Sequence, residues 1–306
     1  MLNSSIGLIG MPYFDEKNDR TKAFYTTPLN REGEIKEVLD RFLVVARGTR
    51  LSVRLLARNI PDAILMEIVC SRAEVVLVCE AILPVNGSGL KIVYYGWNHD
   101  SRRTNLGRQS SENDLLGNVR SRQCPHFHDY SDFTVEFSVG REDWSQTDVS
   151  RLLEIYQRTF SGYLIDFTVE TVRTMLETNW VSLIRCRERG EIVSVAMGEL
   201  VEINAGGIVL SLSELSEVAT HPDFQRRGLA HLAFSRLRDE LVRAGVKVVF
   251  SETRAVSYGM MAVAHDAGFE VRGLLEQHCV ISSPFSDSDQ DGAYGDLVIF
   301  ALPSRA

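Results

Sequence analysis

The chain has 306 residues, 44% hydrophobic and 24% charged, the composition of a globular protein long enough to bury one large core or two smaller ones. Its 41 acidic side chains outnumber 33 basic ones, and the resulting net charge of −8 gives no electrostatic basis for holding nucleic acid. No apolar run approaches the ~20 residues of a membrane span, the N-terminus lacks the basic leader of a signal peptide, and the five scattered cysteines form no Cys-x-x-Cys pair, so a cytoplasmic protein with reduced thiols is expected.

Ile35, Val38, Leu39, Phe42 and Ala46 share one helical face, which predicts a helix over residues 30–46 with Gly48 as its cap. A strand is expected over 51–56 and a proline-opened helix over 61–72. Strands over 74–83 and 90–97 are joined by the turn residues Asn86-Gly-Ser-Gly89. Residues 1–100 thus read as a small α/β unit. Residues 101–131 lose apolar periodicity and read as a linker, and residues 132–306 as a second domain.

That domain opens on the alternation Phe133, Val135, Phe137, Val139, a half-buried strand. Helices over 146–160 and 168–177 follow, then strands over 181–186, 192–201 and 208–220, the first two joined by Glu188-Arg-Gly190. Leu229, Leu232, Ala233, Leu237, Leu241 and Ala244 line one side of a helix that Gly245 terminates. A strand over 246–250, a helix over 257–267 and strands over 269–275 and 297–302 complete the order.

The strand over 208–220, the short loop His221–Gly228 and the helix from Leu229 form a device for holding a pyrophosphate. A helix N-terminus presents unpaired N–H groups and partial positive charge. Gly228 lets the backbone approach the ligand, while Arg226 and Arg227 add full charges. Two carboxylates, Glu214 and Glu217, stand just upstream. Three residues apart on a regular strand they face opposite sides, so a bulge near Ser216 is predicted to reset the parity.

The spacing Gln225-x-x-Gly228-x-Ala230 resembles the acyl-CoA loop of the GNAT N-acetyltransferase superfamily, and the element order is similar to that of its fold. The resemblance implies an α/β (α+β) class with a mixed, mostly antiparallel sheet, preceded here by a smaller α/β domain that is a candidate degenerate GNAT-like unit. It also implies acetyl-CoA as cosubstrate, held by Val218, Ala219, Thr220, Gln225, Arg226, Arg227, Gly228, Leu229, Ala230 and Ser257, with no metal. Glu214 takes the place of a general base and Glu217 that of an acid residue facing the amine. The tyrosine that many members keep four residues before the Gly-Phe that ends the next helix, here Gly268-Phe269, is Ala264 in this chain; Ser257, Tyr258 and His265 are its nearby substitutes.

Glu214-Leu-Ser-Glu-Val-Ala-Thr220, Arg254-Ala-Val-Ser-Tyr-Gly-Met260, Tyr156-Gln-Arg-Thr-Phe-Ser-Gly-Tyr163 and Cys79-Glu-Ala-Ile-Leu-Pro84 resemble the β-lysine N-acetyltransferase group. The expectation is a transferase acting on a small-molecule amine, a β-amino acid or a related compound, with Glu80, Trp97 and Tyr163 closing the acceptor pocket and a homodimer as candidate assembly. Met261 replaces an asparagine usual in that group, and Ser286–Asp296 replaces another of its segments. The rival readings are acetylation of a peptide, siderophore precursor or antibiotic amine, and a non-catalytic acyl-CoA sensor. Asp287-x-Asp289-x-Asp291-Gly292 imitates half of a calcium loop but has Val298 at its twelfth position, and Cys124-Pro-His126-Phe-His128 lacks a partner cluster for zinc.

Overall fold

The computed structural model describes residues 12–72, 75–98, 106–122, 129–160, 165–280 and 294–303. Tyr163 and the motifs at 124–128 and 287–292 lie outside these residues.

The first half contains β1 (Tyr13–Asp15), β2 (Arg20–Leu29), α1 (Glu32–Val45), β3 (Arg50–Arg58), α2 (Asp62–Glu67), β4 (Cys70–Arg72), β5 (Val75–Pro84) and β6 (Leu90–Asn98). α1 buries Ile35, Val38, Leu39 and Phe42, the face its periodicity marks. Its C-cap is Ala46, and Gly48 belongs instead to the turn into β3, where φ is +80° and a Cβ would run into the Asp19 backbone. α2 is shorter than expected, because Cys70–Arg72 leaves the helix to pair with β5. The strands β1 and β2 carry no clear signal in the sequence. β2 has lysine and arginine at buried positions, so its apolar alternation is broken.

The 101–131 stretch holds a helix, α3 (Leu106–Arg120), which buries Leu116 and Val119. Its sequence is mostly polar, and those apolar positions are too sparse to mark a helical face.

The second half runs β7 (Phe133–Val139), α4 (Gln146–Thr159), α5 (Val169–Thr178), β8 (Trp180–Cys186), β9 (Ile192–Ala205), β10 (Ile208–Thr220), α6 (Leu229–Arg243), β11 (Val248–Arg254), α7 (Tyr258–Asp266), β12 (Glu270–Val280) and β13 (Tyr294–Ala301). Side-chain caps start α4 and α5: Ser145 Oγ accepts from the Asp148 N–H at 3.1 Å and Thr168 Oγ1 from the Thr171 N–H at 3.1 Å. α6 buries Leu229, Ala233, Phe234, Leu237 and Leu241. Gly245, at φ +79°, follows its last turn.

All the described strands join one sheet in the order β1-β2-β3-β6-β5-β12-β13-β11-β10-β9-β8-β7, with β4 beside β5. Two parallel pairs, β2–β3 and β10–β11, interrupt an otherwise antiparallel ladder. The halves meet where Gly273 of β12 pairs with Ala81 of β5, an approach so close that a Cβ on Gly273 would overlap the Glu80 carbonyl. They also share a core in which Phe24, Leu56 and Tyr94 pack with Leu212, Phe250 and Ile299. Each such side chain contributes roughly 1.5–3 kcal/mol on burial. This common core lies against one face of β10, whereas α3, α6 and α7 pack with Leu215 on the other.

Candidate active site

The pairing of β10 with β11 is confined to Leu212–Glu214 against Val248–Phe250. Beyond it the two strands have no pairing with each other and the sheet is split. On the other side, the β10–β9 register jumps between Ser216 and Ala219, which leaves Glu217 and Val218 out of the ladder, and Glu217 takes φ +45°. This is the predicted bulge, and it does reset the parity. Leu215 packs toward α6, but Ala219, four residues on, packs with α4 and α5.

Above the split lies a cleft of about 980 Å³. One wall is Val218, Thr220, Gln225 and Arg226, continued by Gly228, Leu229 and Ala230 at the start of α6. Gly228 is the N-cap of α6 at φ +73°, a left-handed conformation that costs a side-chain-bearing residue roughly 1–2 kcal/mol. The first intrahelical bond runs from the Leu232 N–H to the Gly228 carbonyl at 3.0 Å, so the N–H groups before it have no partner within the helix. The facing wall is the start of α7, with Ser257, Tyr258, Gly259 and Met260. A smaller cavity of about 480 Å³ beside Arg238 and Gly245 lies at the far end of α6, away from the bulge.

Two residues expected to hold the donor do not line this cleft with their side chains. Ala219 is buried toward α4 and α5, and its carbonyl accepts from Ser194 Oγ at 3.1 Å. The exposed Arg227 is not part of the cleft lining; its guanidinium lies 5.4 Å from the Phe224 ring centre. The remaining eight line the cleft together. The cleft also includes two residues with no local signal in the sequence, Arg122 and Tyr130 from the stretch read as a linker. Arg122 Nε donates to Asp266 Oδ2 at 3.0 Å, and Tyr130 Oη to the Gly228 carbonyl at 3.4 Å. Only long-range contacts reveal them, since each is remote in sequence from its partner.

Glu214 is buried and sits two residues beyond Leu212, hence on the face shared with the N-terminal half. Glu252 of β11 pairs there with Arg54 of β3 at 2.5 Å, and the Arg54 guanidinium lies 4.8 Å from the Tyr94 ring centre. Lys22 of β2 belongs to the same group. Burial, with the charges of Arg20 and Arg54, pulls its ammonium down to about 7, against the opposing pull of Glu252 and Glu214. Burial also raises the Tyr94 phenol. Deeper between the halves, Arg50 Nη2 donates to Glu80 at 2.6 Å and its Nε to His278 Nδ1 at 3.1 Å, and burial holds that imidazole neutral.

Glu217 is half-buried and accepts from Ser216 Oγ. Tyr156 of α4 is near it: burial first, then the Glu217 charge, lifts this fully buried phenol well above its ordinary value. Both carboxylates therefore lie on the side of the sheet away from α6. Of the other sequence candidates, Ala264 is fully buried in the α6–α7 core, Tyr258 accepts from Arg122 Nη1 at 3.3 Å, and His265 Nδ1 is 3.3 Å from Asp266 Oδ1. Trp97 packs in the core of the first half, and Glu80 is engaged by Arg50.

Residues 143–261 match the acetyltransferase (GNAT) domain family. The [ribosomal protein bS18]-alanine N-acetyltransferase of Salmonella typhimurium is 39% identical over 96 residues, covering 31% of this chain and 59% of that protein. N-acetyltransferase YodP of Bacillus subtilis is 24% identical over 153 residues, 50% of this chain and 52% of that one. Among solved structures, the ribosomal-protein-S18-alanine N-acetyltransferase of Escherichia coli has a TM-score of 0.40 at 22% identity, covering 56% of this chain and 96% of that chain. The chain spans little more than half the length of the first two relatives. The matched stretch is a GNAT acetyltransferase domain, and the second half has the GNAT fold. Domains of this type are acyltransferases that use acetyl-CoA. The matches support this family and not the narrower β-lysine group.

Proposed function

We propose that the chain is an acetyl-CoA-dependent N-acetyltransferase acting on the amine of a small molecule, a β-amino acid or a related amine. The diphosphate of the donor rests on the first-turn N–H groups of α6 and on Arg226. The pantetheine follows Val218–Thr220 like an added strand, with Ser257 on the opposite wall. The acyl carbon reaches the split between β10 and β11.

One observation carries the choice of acceptor: the Glu214 face of β10 is covered by the N-terminal half through a shared core and the Arg54–Glu252 pair. A covered, charge-lined face suits a small amine better than a polypeptide. In the mechanism, an ammonium of pKa about 10 must lose a proton before it attacks. Glu214 takes that proton through a water, and the amine nitrogen bonds to the thioester carbon. The oxyanion lies near the Val218 N–H, freed from the ladder by the bulge. Collapse breaks the C–S bond, the nitrogen gives its second proton to solvent, and solvent protonates the departing thiolate. Glu217 orients the amine. Residues 1–100 form a domain that walls the acceptor site, and 132–306 form the transferase domain.

A second reading, acetylation of a peptide or protein amine, is favoured by the relatives named for the alanine of ribosomal protein bS18. Incubation with acetyl-CoA and a panel of β-amino acids, diamines and alanine-ended peptides, followed by thiol release, separates the two. Turnover of peptides alone would overturn the small-amine reading, and donor binding without any turnover would favour a sensor.

A further inference from the structure

We infer that Arg122, contributed by the segment between the halves, is a specificity residue for the donor and reads its 3′-phosphate. This rests on the reading of the large cleft as the acetyl-CoA site. The donor carries two separated anionic groups, a diphosphate and a phosphomonoester on the ribose. The loop and α6 N-terminus account for the first. Across the cleft, the α7 wall supplies Tyr258 and Asp266 but no cation of its own besides His265, which the cleft lining excludes. Arg122 fills that position from outside the transferase fold. Its side chain is one-third exposed, held against Asp266 at 3.0 Å and Tyr258 Oη at 3.3 Å.

A guanidinium has more N–H donors than these two partners use, and its planar fork matches a phosphate. The carboxylate of Asp266 is only 6% exposed, so it fixes the guanidinium at the cleft instead of competing for it from solvent. The anchoring is double, because α3, which ends two residues earlier, packs on α7. A phosphomonoester carries close to two negative charges at neutral pH, so its addition beside this single cation strengthens the pairing. The segment is thereby a third wall of the donor site.

Calorimetric titration with CoA and 3′-dephospho-CoA tests this on the full chain. The wild type is expected to bind CoA about tenfold more tightly. Arg122→Met combined with Asp266→Asn, which avoids leaving a buried carboxylate unpaired, should bind both within about twofold, while Asp266→Asn alone keeps the preference. Should the double variant fail to fold, Arg122→Lys provides the test, with the preference falling to about threefold because a point charge replaces the fork. An undiminished preference in either Arg122 variant, or none in the wild type, would overturn the inference. A wild type that binds neither compound would instead overturn the donor-cleft reading on which it stands.

Discussion

The donor cleft and the carboxylate face lie on opposite sides of the same split in the sheet, and they are built in opposite ways. Most of the proposed donor wall comes from one contiguous stretch, Val218–Ala230, where we propose that backbone N–H groups and a left-handed glycine do the binding. The carboxylate face is assembled from β2, β3, β6, β10 and β11, with charged side chains buried across the junction of two halves. Backbone-made sites are local in sequence; charge-made sites in an interior need partners from elsewhere, because an isolated buried charge is too costly.

Substitutions can break this contrast, and the largest effect should come from the carboxylate face. Glu214→Gln is expected to lower kcat about 10²–10³-fold with little change in KM for acetyl-CoA, measured by thiol release. Glu217→Gln should cost less. If both variants retain full turnover, proton removal does not depend on this face.

Next in size is the junction itself. Arg54→Met leaves Glu252 buried without its partner and should destabilise the protein by about 3 kcal/mol in denaturant titration. The double variant Arg54→Met, Glu252→Gln should recover most of that loss. Independent, additive losses would show that the pair does not bridge the halves.

On the donor side, Gly228→Ala forces a Cβ into a left-handed N-cap and should raise KM for acetyl-CoA about tenfold, leaving the acceptor KM unchanged. A parallel rise in the acceptor KM would blur the division into two sides.

A further effect is a pH dependence. Folded Lys22 loses its proton near pH 7, and an unfolded lysine does so near about 10.4. Between these values the unfolded chain holds the extra proton, so stability rises with pH. Lys22→Met should flatten that rise between pH 7 and 10, read from denaturant midpoints. Equal slopes in the two proteins would mean that Lys22 is not held neutral by the interior.

The same contrast explains what the sequence made legible. Gly228, Gln225 and the bulge between Ser216 and Ala219 could be read because turn chemistry and strand parity act over a few residues. β2 carries no strand signal because Arg20, Lys22 and Thr21 are buried there, against the usual alternation. α3 carries little helical signal because its polar face dominates, and Arg122 none, since its partner Asp266 lies far along the chain. Ala219 is expected to meet the donor through its backbone, and the bulge that frees Val218 turns its side chain to the α4–α5 core.

We propose that the donor's diphosphate sits on the α6 N-terminus while its acyl carbon passes to the Glu214 face. A crystal structure with acetyl-CoA is the decisive measurement, expected to show phosphate oxygens on the Gly228–Ala230 N–H groups and the thioester carbonyl against the Val218 N–H. A thioester pointing to solvent on the α6 side, with Glu214 sealed off from it, would refute this arrangement.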